Sequence, residues 1–434
     1  MIKKLFRLCI TLIFSFLLFS CSKDEDSIVP QIIINEPYEL MNFNVLDTVK
    51  IRANIYDDKN IKSVEIEIVN TDYLPISNKY SYQPNNKDFF IYEEIALDNI
   101  QLKSGTYYLK IRAFDGFNEK HLYRAIIISG VQRKFKSIIT INKNNETSFT
   151  IYAIDSSQKQ LFTYDRAYNF SAINHDFQQL YICGRVNGKL NAYNLIDNSL
   201  AWEIEADNNP PTPSFENLYF KNNILYLSGY LSYITGFNRF SNIMYSSATT
   251  TNYFPVKTLK TNNYLIAEEK SKTSDLRLLS IYYTPTGYLK NSTYLSFSIN
   301  SMFEKDNDEI IVFGNNQQNQ SVLYWFNTEN QTFYSPHSIS SEQLNDVARI
   351  DQFNFLILTT SKIYWYQIQS NSLTPLISNI NANHIDFEDI SQTIILSSNN
   401  KLLFYNFPSA SKTNEISMQT EIINFHLNYN KTKE

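Results

Sequence analysis

The chain has 434 residues and a mass of 50.7 kDa, more than one domain of ordinary size, and its 43% hydrophobic and 15% aromatic content excludes global disorder. With only 9 Gly and 12 Pro, collagen-like and Gly-rich repeat classes are excluded, and tight turns fall to Asn, Asp and Ser. Net charge is −5; without residues 1–20, which carry Lys3, Lys4 and Arg7 and no acid, 35 basic against 43 acidic residues leave −8, a balance that argues against a nucleic-acid binder.

Residues 1–20 begin basic and continue as an uncharged apolar run from Leu8 to Phe19, too short to span a bilayer and shaped as a secretory signal. The run ends Leu18-Phe19-Ser20-Cys21, which resembles the lipobox of bacterial lipoproteins, although Phe19 stands where a small residue is usual. The resemblance implies cleavage before Cys21 and acylation of its thiol by fatty chains such as palmitate; two or more chains, at about 0.8 kcal/mol per buried methylene, hold a protein stably to a membrane. An ordinary signal peptide followed by an incidental Cys is the alternative. Ser22-Lys23-Asp24-Glu25-Asp26 resembles the Lys-then-acids signal that exports Bacteroidetes-type lipoproteins to the outer face of the outer membrane; the other reading of 21–29 is a solvated tether. Cleavage leaves Cys21 and Cys183 alone, so an acylated Cys21 permits no intrachain disulfide, and Cys183 reads as a small buried hydrophobe.

Over 30–130, apolar residues alternate with polar ones at period two, the mark of half-buried strands. Val49, Ile51, Ala53 and Ile55 share a face, a turn is expected at Asp57-Asp58-Lys59-Asn60, and Val64, Ile66 and Ile68 follow. The run Phe89-Phe90-Ile91-Tyr92 comes next, then Gly105 to Ala113 with Tyr107, Leu109, Ile111 and Ala113 inward, and Leu122 to Ile128 last. About seven short strands in about a hundred residues fit an immunoglobulin-like sandwich. The segments ending at Asp57-Asp58 and Asp115-Gly116 resemble bacterial Ig-like and PKD-type modules, which implies a spacer or adhesive role. Asp57, Asp58 and Asp115 are turn residues first and calcium ligands only as the alternative, since they lack a regular ligand spacing.

Over 134–430 a short strand ending in an aromatic recurs, with anchors at Tyr152, Tyr193, Phe237, Tyr282, Phe326, Tyr366 and Tyr405, spaced 39 to 45 residues apart. That is the period of four-stranded propeller blades. A second apolar strand precedes most anchors, as in Leu180 to Cys183 or Phe355 to Leu358, linked to it by an Asn- or Gly-bearing turn. The first repeat is one strand short on its inner side and a surplus strand, Thr420 to Leu427, follows the last repeat. The expectation is therefore an all-β chain whose carboxy-terminal strand completes the first blade and closes a seven-bladed ring. The repeats resemble the degenerate blades of quinoprotein-type propellers.

No phosphate loop, dinucleotide fingerprint, zinc-protease or hydrolase-elbow motif is present, so no cofactor, metal or catalytic residue is assigned. Inner strands line a propeller's channel, which makes His175, Asp176, His384, Asp386 and His426 the candidate channel ligand groups, placed in blades two, seven and one. Three imidazoles with an Asp would suit a transition metal; separate hydrogen-bonded histidines are the plainer reading. Asp176, Glu304 and Asp386 are the inner-strand acids a glycosidase would draw on. Trp325 and Trp365, one residue before their anchors, read as blade packing, and Trp202 as edge cover. The expected function is a non-enzymatic, lipid-anchored, surface-exposed binding or scaffold protein with a protein or glycan ligand. A surface glycan hydrolase or lyase, or an accessory subunit of an outer-membrane uptake or secretion machine, is the alternative.

Overall fold

A computed structural model describes residues 28–431 apart from 72, 186–187, 206–213 and 285. Cys21, Lys23, Asp24, Glu25 and Asp26 lie outside the described residues. Among the described residues there are strands and no helix. The chain divides into two compact units, one ending at Gln132 and the other spanning Arg133–Asn430.

The first unit packs two sheets over one apolar core. One has the order Gln31–Glu36, Thr48–Ile61, Asn86–Ala96; the other runs Met41–Asn44, Glu119–Ser129, Gly105–Phe114, Ser63–Val69, Tyr80–Tyr82. The alternation in the sequence explains it: Val49, Ile51, Ala53 and Ile55 from one sheet meet Val64, Ile66, Leu109 and Ile111 from the other, all buried. The segment Asp57-Asp58-Lys59-Asn60 differs from expectation, because it does not end the strand. Tyr56 pairs with Asp88 and Ile61 with Asn86, so the four residues bulge from a continuous strand, folded by the Lys59 N–H donating to Asp57 Oδ1 at 2.8 Å.

The second unit is a β-propeller. It is a succession of antiparallel meanders, of which the second to seventh begin at their inner strand and run outward. In chain order the inner strands are Tyr168–Asn174, Phe215–Lys221, Tyr253–Lys260, Phe297–Glu304, Leu344–Arg349 and His384–Glu388, opening the second to seventh sheets. The first sheet is composite: Gln158–Tyr164, Ser148–Ile154 and Lys134–Asn145 are joined on the inner side by Glu421–Asn430, which pairs antiparallel with Lys134–Asn145. Strands second from the channel are buried on both faces, as continuous apolar runs require; Ile310 to Phe313 and Phe355 to Leu358 are fully enclosed. Separate apolar clusters fill each gap between successive sheets, and one of them joins Ile395 and Leu402 of the seventh sheet to Ile138 and Ile422 of the first.

Every aromatic anchor falls on the third strand of its sheet, opposite the second: Tyr193 against Leu180, Phe326 against Ile310, Tyr366 against Phe355. Five anchors coincide with a register shift toward the outermost strand, which adds twist where each sheet flares. A second set of bulges lies at the start of the inner strands and turns their side chains sideways. From such positions Asn169 donates to the Phe215 carbonyl, Asn300 to that of Asn345, and Asn345 to that of Ala382, each at 2.9 Å. These amides tie the inner strand of the second sheet to that of the third, the fifth to the sixth, and the sixth to the segment just before the seventh.

Candidate ligand-binding channel

Alternation on the inner strands decides what faces the channel. In Glu421–Asn430, Phe425 and Leu427 enter the apolar cluster, so His426 between them points the other way. Its Nε2 lies 2.7 Å from Ser171 Oγ on the second sheet's inner strand, and Asn424 Nδ2 donates to Tyr168 Oη at 2.9 Å and to Ser171 Oγ at 3.2 Å. Burial, with His175 and His384 nearby, lowers the His426 imidazole to about 3, so it is neutral at ordinary pH.

A cavity of about 270 Å³ opens where the inner strands end. His175, Asp386 and His426 line it, together with Arg133, Arg349, Asp389 and Tyr429. Burial raises the Asp386 carboxyl to about 7, with Asp346 and Asp389 adding repulsion against the backbone N–H of Phe387, which donates to its Oδ1 at 2.8 Å. Burial also lowers His175 to about 4, Arg133 adding to the effect. Arg133 pairs with Asp389 and lies over the Tyr429 ring at 4.2 Å; Arg349 Nε donates to the Asp351 carbonyl at 2.9 Å. The cavity thus combines two guanidinium groups, two neutral imidazoles and a carboxyl that titrates near neutrality.

The candidates do not form one cluster. His384 opens its strand and sits at the other mouth, in a cavity of about 370 Å³ lined chiefly by amides, with its Nδ1 3.5 Å from Asp346 Oδ2. His175 and Asp176 lie in the turn after Tyr168–Asn174 rather than on the strand, because Asn174 Oδ1 accepts the Phe177 N–H at 3.3 Å and starts that turn. Glu304 ends its inner strand and accepts Lys221 Nζ at 2.8 Å. Arg349 occupies the same terminal position one sheet later, and this positional equivalence was the signal available for finding it. Among the described residues no group of three His, Cys, Asp or Glu is disposed to hold a metal. Asp57 folds the bulge of its strand and Asp115 a turn, Asp115 Oδ1 accepting the Phe117 and Asn118 N–H groups at 2.6 Å each. Cys183 is buried, which pushes its thiol up and away from reactivity. The Trp202 indole donates to the Arg239 carbonyl of the next sheet at 2.8 Å, that of Trp365 donates to Asn354 Oδ1 at 3.0 Å, and Trp325 packs under Lys305.

No family model matches the chain, and no curated protein matches it. Among solved structures it is similar to a quinoprotein alcohol dehydrogenase-like protein of Bacteroides thetaiotaomicron, at 9% identity and a TM-score of 0.47 over 92% of this chain and 99% of that one. It is also similar to Sqt1 of Saccharomyces cerevisiae, at 10% identity and a TM-score of 0.47 over 67% of this chain and 89% of that one. The β-propeller domain of Cps50 (Swd1) from Myceliophteria thermophila aligns at 10% identity and a TM-score of 0.46, over 59% of this chain and 88% of that one.

Proposed function

We propose that this chain is a lipid-anchored cell-envelope protein, displayed on the exterior of an outer membrane, that binds a protein or glycan ligand in the channel of a seven-bladed propeller. In this reading the first unit is an Ig-like sandwich and Glu421–Asn430 closes the ring. The observation that carries the binding role is the cavity shared by His175, Asp386 and His426, where polar groups from three sheets converge on a space large enough for one residue of a larger ligand. Support for the closed ring comes from the pairing of Glu421–Asn430 with Lys134–Asn145 and from the apolar cluster joining the seventh sheet to the first. The anchor rests on Leu18-Phe19-Ser20-Cys21 and on the charged residues Lys23 to Asp26 behind it. Cys21→Ser should move the protein from the membrane to the soluble fraction; unchanged membrane retention would overturn the anchor.

One observation favours a second reading, a surface glycan hydrolase or lyase: a carboxyl held near neutrality, as Asp386 is, suits a general acid. Polysaccharide turnover by the wild type that Asp386→Asn abolishes would establish catalysis in place of simple binding. Co-purification with an integral outer-membrane protein would instead assign the accessory-subunit role.

A further inference from the structure

The outer face of the five-stranded sheet in the first unit carries an aromatic cluster that its fold does not use. Tyr108 and Tyr123 stand on adjacent strands, pointing away from the core that receives Tyr107, Leu109 and Leu122. Tyr73 leans over them from the loop after Ser63–Val69. Its ring is stacked on Tyr108 at 6.0 Å and edge-on to Tyr123 at 5.2 Å, and His121 continues the row 6.5 Å beyond Tyr123 in a nearly parallel plane. Tyr73 is 59% exposed and Tyr123 38%. Among the described residues, none of the three phenol hydroxyls has a hydrogen-bond partner. Large aromatic side chains gathered on a solvent face, with nothing packed above them, mark interaction sites more often than accident.

The charges beside the cluster indicate what kind of partner fits. Lys110 pairs with Glu67 at 2.7 Å, Lys79 with Glu65 at 3.1 Å, and Arg112 with Glu119 at 2.6 Å, while His121 also contacts Glu119. The face is therefore neutralised from within, and a charged partner would have to break these pairs to gain others. What the face offers is amphipathic: ring faces that can receive apolar C–H surface, and solvent-facing hydroxyls that can meet polar groups. A pyranose has both, with axial C–H groups on one face and hydroxyls around its edge.

We propose that the Tyr73, Tyr108, Tyr123 and His121 face binds an uncharged polysaccharide chain, by stacking sugar rings on the tyrosines. This site is separate from the channel and stands whether or not the channel binds anything. The test is affinity electrophoresis of the full chain in detergent, in gels containing amylopectin, laminarin or galactomannan, with polygalacturonate as the charged comparison. At least one neutral polymer should retard the wild type, and Tyr73→Ala or Tyr123→Ala should each weaken that retention about tenfold, in line with a stacked aromatic contact. Tyr288→Ala, at an exposed tyrosine of the second unit that lines neither site, should leave it unchanged, and retention carried by the channel would survive in the Tyr73→Ala and Tyr123→Ala variants, which separates failure here from failure of the channel reading. Both tyrosines are exposed, and an unchanged thermal melt confirms that the variants fold. Lack of retardation by all three neutral polymers, equal retention of wild type and tyrosine variants, or equal retention by polygalacturonate would each overturn the proposal. So would a dimer in sedimentation that Tyr73→Ala dissolves, since the face would then belong to a second copy.

Discussion

His426 and Ser171 are 255 residues apart in the sequence and 2.7 Å apart across the channel wall, joining the inner strands of the first and second sheets. The bond is part-buried; Ser171 Oγ also meets Tyr168 Oη at 2.8 Å and accepts Asn424 Nδ2 at 3.2 Å, so it is the imidazole nitrogen that depends on this contact. Ser171→Ala should cost about 1–3 kcal/mol by leaving the imidazole nitrogen unpaired. The double variant Ser171→Ala/His426→Leu should lose less than the sum of the single changes, with a coupling of about 0.5–2 kcal/mol. Urea unfolding of the four proteins measures it; strict additivity would show that the bond does not hold the strands together.

The pH dependence of stability separates Asp386 from the histidines. The Asp386 carboxyl is raised to about 7 from its ordinary value of 3.8, so between those limits the folded chain holds a proton the unfolded chain has lost. Its contribution therefore falls as pH rises from about 4 to 7 and stays unfavourable above. His175 and His426 act oppositely: lowered to about 4 and about 3 from 6.5, they bind protons more readily when unfolded, and stability falls as pH drops below about 6.5. Asp386→Asn should raise the melting temperature at pH 8 by about 2–4 °C and leave it nearly unchanged at pH 4, as read by calorimetry. A loss of stability at pH 8 would contradict the raised carboxyl.

Asn345 stitches the sixth inner strand to the seventh through the Ala382 carbonyl. Asn345→Ala should destabilise the second unit by about 1–2 kcal/mol, the cost of a lost hydrogen bond with a carbonyl left partly unpaired. Denaturant titration tests this, and a neutral outcome would mean that water replaces the amide.

Ile422 is fully buried in the cluster between the seventh and first sheets. Ile422→Ala should cost about 2–4 kcal/mol, and a chain ending at Met418 should expose Lys134–Asn145 to proteolysis. Cleavage no faster than in the full chain would show that the first sheet stands without its inner strand.

The parts of the fold legible in the sequence are those with strong physical signatures. Second strands such as Ile310 to Phe313 are apolar on both faces, and an aromatic anchor opposite each, as Tyr366 is opposite Phe355, repeats with little variation. The bulge at Asp57 to Asn60 was hidden because its composition is that of an ordinary turn. The channel was harder still. Inner strands are short and mixed, so a shift of one residue exchanges channel for core, and His175 falls just past its strand because Asn174 already starts the turn. Arg133, Arg349 and Asp389 resemble solvated charges at strand ends, and only three-dimensional assembly brings them beside Asp386.

The composite first sheet also bears on how the protein is made. Asn142 donates to the carbonyl of Thr420, 278 residues downstream. A chain emerging in order presents Lys134–Asn145 with an unpaired edge and the exposed side chains of Ile138 and Ile141 until Glu421–Asn430 arrives. Such an edge invites pairing with another nascent chain, so escort by a holding chaperone matters most for this strand, and termination before Glu421 is damaging because it leaves the edge permanently open.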